Sequence, residues 1–307
     1  MIDEAPGWRE RAALASARVP FNLKVAVVWL LLFAVVATFF ALSQFDTDWM
    51  KQNTGFIAKG VRFTMQMAIG GIVLAVILAL FGALGRLSSN PIAYGVSGFY
   101  VSFFRGTPLI VQMFLIYLAL PQIANNLVDR YPGLGTNFSH TLTLSSLQAG
   151  TLALGLNYGA YMTEIFRAGI QSVAHGQGEA ADALGMRYWT KMRRVVLPQA
   201  LRVIIPPTGN EFIAMMKDTA LVSFLGVTVE SAEIFRRAQL VGKADLKNLE
   251  AYIVAAGLYW ALTAVFSFFQ RRMEKRLESG YVRDAKGGRF VEPMVLGGSH
   301  AGGGPSA

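Results

Sequence analysis

Six stretches of this chain are apolar for long enough to cross a lipid bilayer, and that limits the fold before anything else does. About 20 apolar residues in a helix span the hydrocarbon core. Inside it, only helices and closed barrels satisfy their own backbone polar groups. The runs are Val25–Ser43, Phe63–Gly85, a third from Pro91 through Arg105 to Pro121, Leu144–Gly169 with Glu164 and Arg167 near its end, Gln199–Met216 broken by Pro206 and Pro207, and Ala251–Gln270. Charged residues make up 15% of the chain and hydrophobic ones 53%, where a soluble domain carries about a quarter charged. The pattern predicts an all-α integral membrane protein with six helices.

The first run has a basic lead, Arg9, Arg11 and Arg18. It is longer than the apolar region of a secretory leader, about 7–15 residues, so it is expected to be a retained helix. Six spans put both termini on one side. That side also holds the Arg86 turn, the loop with Arg187, Lys191, Arg193, Arg194 and Arg202, and a basic tail. Lys and Arg collect in cytoplasmic loops, so both termini are expected in the cytoplasm. The same rule accounts for the net charge of +9 without a nucleic-acid partner. The last outside loop, Lys217–Lys247, is also basic. It is expected to hold an amphipathic helix on the outer surface, with Val229, Ala232 and Phe235 on one face and Glu230, Glu233 and Arg237 on another. The tail after Lys286 is Gly-rich and is expected to be disordered.

Several chemistries have no residues to run on. There is no cysteine, hence no disulfide or thiolate metal site. His140, His175 and His300 lie far apart, without metal-ligand spacing. The phosphate-cradling G-x-x-x-x-G-K-[ST], the H-E-x-x-H pair and the G-x-S-x-G elbow are all missing. No catalytic residue, metal site or cofactor is expected in this chain. A carrier, or a membrane enzyme of unfamiliar chemistry, stays open at this point.

The most informative segment is Glu179–Pro198, "EAADALGMRYWTKMRRVVLP", on the side assigned to the cytoplasm. Ala and Leu favour helix. Glu179 and Asp182 suit a helix N-terminus, and Lys191, Arg193 and Arg194 a C-terminus. The residues read as a helix from Gly178, a turn at Gly185 where φ > 0 is open to glycine, and a second helix up to Pro198. A short rigid helix held by two spans can transmit motion from a cytoplasmic partner.

This stretch resembles the "EAA" loop of ABC importer permeases, whose pattern is E-A-A, three residues, G, nine residues, I, one residue, L-P. Glu179-Ala180-Ala181, Gly185 and Leu197-Pro198 keep that spacing, with Val195 where Ile is usual. "SFFRGTPLIVQMFLIYLALP" from Ser102, "LNYGAYMTEIFRAGIQSV" from Leu156 and "GNEFIAMMKDTALVSFLGV" from Gly209 are similar to segments of the polar amino acid subfamily (histidine, glutamine, glutamate and arginine permeases). The resemblance implies a type I importer transmembrane domain over residues 60–270, a core of five spans. It leaves a cytoplasmic segment 1–24, an extra N-terminal helix 25–43 and a cytoplasmic tail 271–307 outside it. It also implies partners: a second permease subunit, identical or related, an ATPase docking on the EAA loop and hydrolysing ATP, and an extracytoplasmic amino-acid-binding protein. The EAA spacing argues against a carrier without an ATPase.

Three sets of polar residues inside the runs are candidates for the solute path. Arg105 precedes Gly106-Thr107-Pro108, where a helix break is expected; it either serves the path or snorkels to an interface. Asn157, Tyr161 and Glu164 share one helix face. That stripe must meet protein or water, as solute contacts or as interhelical hydrogen bonds. Nearby, Gly155 and Gly159 form a G-x-x-x-G that lets another helix approach closely. Asn210 and Lys217 share a face after the Pro206-Pro207 break, beside Glu211 and Asp218; Lys217 with Asp218 offers both signs of charge to a zwitterion, or forms a pair at the outer interface. Glu164 and Lys217 are expected to border the path.

Overall fold

A computed structural model describes Gly7 and residues 20–278, and helix is their only regular structure. The chain N-terminal to residue 20, apart from Gly7, and the tail from 279, including the Gly-rich end, lie outside the described residues. The helices are α1 (Phe21–Leu42), α2 (Thr47–Ala58), α3 (Val61–Arg86), α4 (Pro91–Gly106), α5 (Leu109–Phe114), α6 (Leu120–Arg130), α7 (Gly135–Leu142), α8 (Ser146–Gln171), α9 (His175–Ala183), α10 (Tyr188–Lys191), α11 (Leu197–Asp218), α12 (Ile234–Ala244) and α13 (Asn248–Glu278). A π-turn at Leu115–Ala119 joins α5 to α6, and another at Met192–Val196 joins α10 to α11.

Among the described residues, four segments are long and apolar enough to cross a membrane: Phe21–Leu42, Thr47–Arg86, Leu109–Arg130 and Asn248–Leu277. Helices α8 and α11 have the length, at 26 and 22 residues, but not the apolarity. They are the two that carry the expected polar faces. A helix can be polar at membrane depth when protein, and not lipid, surrounds it.

Helix α8 is the centre of the molecule. Gly150, Ala153, Leu154, Asn157, Gly159, Met162, Thr163 and Phe166 are all buried. Its tightest neighbour is α3, and the two run parallel. Gly70 meets Thr151, Leu74 meets Gly155, Leu78 meets Gly159 and Gly82 meets Thr163, each pair one turn further along both helices. A Cβ on Gly82 would collide with the Thr163 side chain, and one on Gly155 with Leu74. Small residues at these positions let the two backbones approach, which is how helices associate where lipid removes the hydrophobic drive. Helix α11 runs antiparallel to α8, with Gly169 against Ile204, and antiparallel to α13, with Phe212 against Phe266. Helix α1 has no buried residue.

One expected break is present and three expectations need correcting. The third run is interrupted where the sequence suggested: the helix ends at Gly106, passes through extended Thr107 and Pro108, and restarts at Leu109. Pro108 lacks an N–H and disfavours helix at the residue before it. The fifth run is not broken: α11 continues through Pro206 and Pro207. Gln270 on α13 donates to the Pro206 carbonyl at 3.3 Å and to Asn210 Oδ1 at 2.8 Å, a neighbour's support that makes proline tolerable in a membrane helix. The second helix of the Glu179–Pro198 loop does not stop at Pro198. It runs on through the π-turn into α11, with Pro198 inside the continuous helix just after that turn.

The last correction concerns the outer loop. Helix α12 starts only at Ile234, and its expected polar face is partly interior: Glu233 is 0% and Arg237 7% exposed. Glu233 caps α12, accepting from the Phe235 and Arg236 amides and from the Tyr259 hydroxyl. Burial pushes its carboxyl up to about 7, although these donors favour the charged form. With α2 and α13, α12 forms a second core around Ile57, Ile234, Ala238 and Ala251.

Candidate functional site

The break between α4 and α5 leaves carbonyls at the end of α4 without helical partners. Two side chains meet them. Gln112 Nε2 donates to the Phe104 carbonyl at 2.9 Å and to Thr107 O and Oγ1 at 3.0 and 2.7 Å. Asn157 Nδ2, from α8, donates to the same Phe104 carbonyl at 2.9 Å and to Gln112 Oε1 at 3.1 Å. Both residues are buried. Asn157 therefore holds the break open beside α8.

Against that break lies a cavity of about 350 Å³, lined by Thr107, Pro108, Leu109, Asn157, Tyr158, Tyr161, Glu211 and Asp218. The Tyr158 hydroxyl donates to Asp218 Oδ2 at 2.8 Å. Arg105 stands near it, with its guanidinium 5.2 Å from the centre of the Tyr161 ring. The cavity thus offers two carboxylates, two phenols and an amide, with a cation next to its tyrosine wall. This surface can receive an ammonium group and hydrogen-bond a polar ligand.

The structure brings Arg105, Asn157 and Tyr161 together around this cavity. Glu164, one turn further on, pairs instead with Arg167 at 2.7 Å and Arg86 at 3.5 Å. Lys217 is exposed and absent from the lining, and Asn210 is exposed and bonded to Gln270. Glu211 and Asp218, one position beyond Asn210 and Lys217, face the cavity. They have the same seven-residue spacing, so the periodicity that singled out Asn210 and Lys217 fits them equally. Tyr158, Thr107 and Gln112 were not singled out by the sequence; the extended Thr107-Pro108 step was the available signal for the last two.

The second site is the loop between α8 and α11. Helix α9 covers Glu179, Ala180 and Ala181 and starts at His175, three residues before the expected Gly178. Ala181 is buried and Glu179 is exposed. Gly185 has φ +71°, the left-handed conformation the turn requires. Lys191 bridges back to Asp182 at 2.7 Å across the turn. Leu184, Tyr188 and Trp189 are large, apolar and 77, 57 and 72% exposed. Exposed apolar groups clustered on a charged loop mark an interaction surface. A cavity of about 360 Å³ lies between the loop and the end of α8, lined in part by Ile170, Val173, Gly178, Lys191 and Val196.

Comparison with known proteins follows this geometry. Residues 71–279 match the family model described as binding-protein-dependent transport system inner membrane component. The chain is 36% identical over 236 residues to the probable amino-acid permease protein YxeN of Bacillus subtilis, covering 76% of this chain and 97% of that one. It is 39% identical to the L-cystine transport system permease protein TcyB of Bacillus subtilis, over 72% of this chain and 86% of that one. It is 38% identical to the arginine transport system permease protein ArgU of Corynebacterium glutamicum, over 74% and 70%. A crystal structure of an amino acid ABC transporter with histidines superposes with a TM-score of 0.64 at 35% identity, over 75% of this chain and 98% of that chain.

Proposed function

The chain belongs to the binding-protein-dependent transport system inner membrane components, as an amino acid ABC transporter permease subunit, and from that premise we propose how it works. It forms the translocation path for a polar or charged amino acid and couples that path to a separate ATPase through the Glu179–Pro198 loop. The observation that carries this reading is a continuity. The docking loop passes through a π-turn into α11 with no break, and α11 ends at Asp218 in the cavity wall. A push on the loop therefore reaches the carboxylates Glu211 and Asp218 through one rod. Single-turn π-bulges inside α-helices occur frequently at functional sites.

In this reading ATP is bound and hydrolysed by the partner ATPase, and this chain holds no cofactor. A second permease subunit, identical or related, completes the path, and an extracytoplasmic binding protein delivers the solute. The docking loop and both termini face the cytoplasm. The parallel run of α3 and α8 supports this, since it ends the Arg86 turn and the basic loop on the same side. Arginine and cystine in the relatives' names point to polar amino acids.

The test is co-purification of the ATPase with loop variants. Glu179→Lys reverses charge on the exposed face of α9. Gly185→Val strains a left-handed position by about 1–2 kcal/mol. Both variants are expected to insert normally and to lose most of the bound ATPase and most transport. Normal ATPase retention and uptake in both would remove the loop from the coupling path.

A further inference from the structure

The end of α3 opposite the docking loop carries a second charged cavity, of about 450 Å³, lined by Ala58, Lys59, Arg62, Phe63, Glu230 and Arg237. Lys59 and Arg62 are exposed, while Arg237 is 7% exposed. The Arg237 guanidinium donates to the carbonyls of Ala232, Val229 and Phe56 at 3.0, 3.0 and 3.5 Å. Its carbon lies 5.0 Å from the centre of the Phe56 ring. Among the described residues, no carboxylate forms an ion pair with Lys59, Arg62 or Arg237. Glu230 is the acid in the lining, set against three cations. Glu230 attracts Arg237 but leaves the three cations in excess, so an arriving anion would meet a favourable charge. Five N–H groups are available to an arginine, and the three carbonyl bonds leave donors over.

The surroundings say which anion. Arg62 heads a stripe along α3 that continues through Gln66, Ile69, Val73, Val76, Ile77 and Leu80, at the three- and four-residue steps of one helix face. From Ile69 on the stripe is apolar and 36 to 55% exposed. It belongs to one of the segments apolar enough to span the membrane. Phe63, beneath the Arg62 guanidinium, and Phe56 are the aromatic residues at this level. A basic cavity whose Arg62 heads an exposed apolar stripe matches the layout of a phospholipid: charge at the top, apolar surface below. Lys and Arg side chains near a membrane surface attract anionic headgroups by the same charge.

We infer that this cavity binds the phosphate of an anionic phospholipid, whose acyl chains lie along the Ile69–Leu80 stripe. Arg237 supplies the buried charge, and Lys59 and Arg62 close on the headgroup from the rim. The bound lipid would tie α2, α3 and the entry to α12 together at one end of the molecule.

The test is native mass spectrometry of the purified full chain, incubated with phosphatidylglycerol, phosphatidylcholine or inorganic phosphate. Wild-type protein is expected to retain phosphatidylglycerol in preference to phosphatidylcholine. The double variant Lys59→Gln/Arg62→Gln changes only exposed side chains and should lower that retention roughly tenfold, given the attraction of each basic residue to anionic lipid. Lys51→Gln, whose lysine pairs with Asp48, should leave it unchanged. Equal retention of the two lipids, or full retention by the double variant, would overturn the site. So would displacement of the lipid by inorganic phosphate at equal concentration, since the stripe would then contribute nothing. Unchanged lipid binding in a double variant that no longer responds to an extracytoplasmic binding protein would assign the cavity to an acidic protein partner instead.

Discussion

Asp218 shows at the scale of one residue what local periodicity can and cannot reveal. The seven-residue spacing that relates Glu211 to Asp218 also relates Asn210 to Lys217. Which pair faces the interior depends on how α11 is rotated against α8 and α5, and nothing within the α11 sequence fixes that. The same holds for Asn157. Its place on a polar stripe was legible, but its partners Phe104 and Gln112 are 53 and 45 residues away. On our account Glu211 and Asp218 meet the ammonium group of the solute. Asp218→Asn and Glu211→Gln are expected to cut uptake at least tenfold while the subunit still holds its ATPase. Glu164→Gln and Lys217→Met test two charges that lie outside the cavity lining, and lowered uptake or altered preference is the result expected if the path runs beyond it. Uptake of several labelled amino acids by reconstituted variants checks all four. Wild-type rates and preference in Asp218→Asn and Glu211→Gln would make the cavity structural. The same result in Glu164→Gln and Lys217→Met would confine those two to packing and ion pairing.

Elements were easier to foresee than their interruptions. Apolar length and helical period are local, so every run in the sequence became a helix or a pair of helices. Breaks depend on neighbours. Two adjacent prolines predicted a gap in α11, yet Gln270 of α13 supports the helix through it. A single Thr-Pro step did break the third run, because Gln112 and Asn157 stand ready to take the freed carbonyls. Truncating Asn157 to Ala would leave those acceptors less well met, at a cost of about 1–3 kcal/mol. The glycines of α3 and α8 make the sharper test. Gly155 and Gly159 were legible as a close-approach pair, whereas the matching Gly82 on α3 was not. Gly82→Val places methyl groups where Thr163 now sits, and overpacking of this kind costs about 1–3 kcal/mol. Thermal unfolding in detergent should show a lower midpoint for Gly82→Val. An unchanged midpoint would mean that α3 and α8 can separate freely. Gly95→Val, with open space around it, is the control.

At the scale of the whole molecule, one continuous helix joins the two candidate sites. An exposed apolar-and-charged loop lies at one end, a polar cavity lies against the break between α4 and α5, and α11 connects them as a continuous rod. The EAA spacing made the outline of the loop legible, because such a turn is a local object: a left-handed glycine, a short helix, and exposed side chains around it; the true helix bounds were not, since its first helix starts at His175 and its second runs on past Pro198. The cavity was legible only in part, because it is assembled from α4, α5, α8 and α11. The central claim is that this chain moves an amino acid only when an ATPase drives the loop. The direct measurement is uptake of labelled amino acids into proteoliposomes that contain this chain with its partner permease, if one exists, and the binding protein, with and without the ATPase subunit and ATP. Our account predicts accumulation against a gradient only when the ATPase and ATP are both present. Accumulation by the permease alone, driven by an ion gradient, would contradict it.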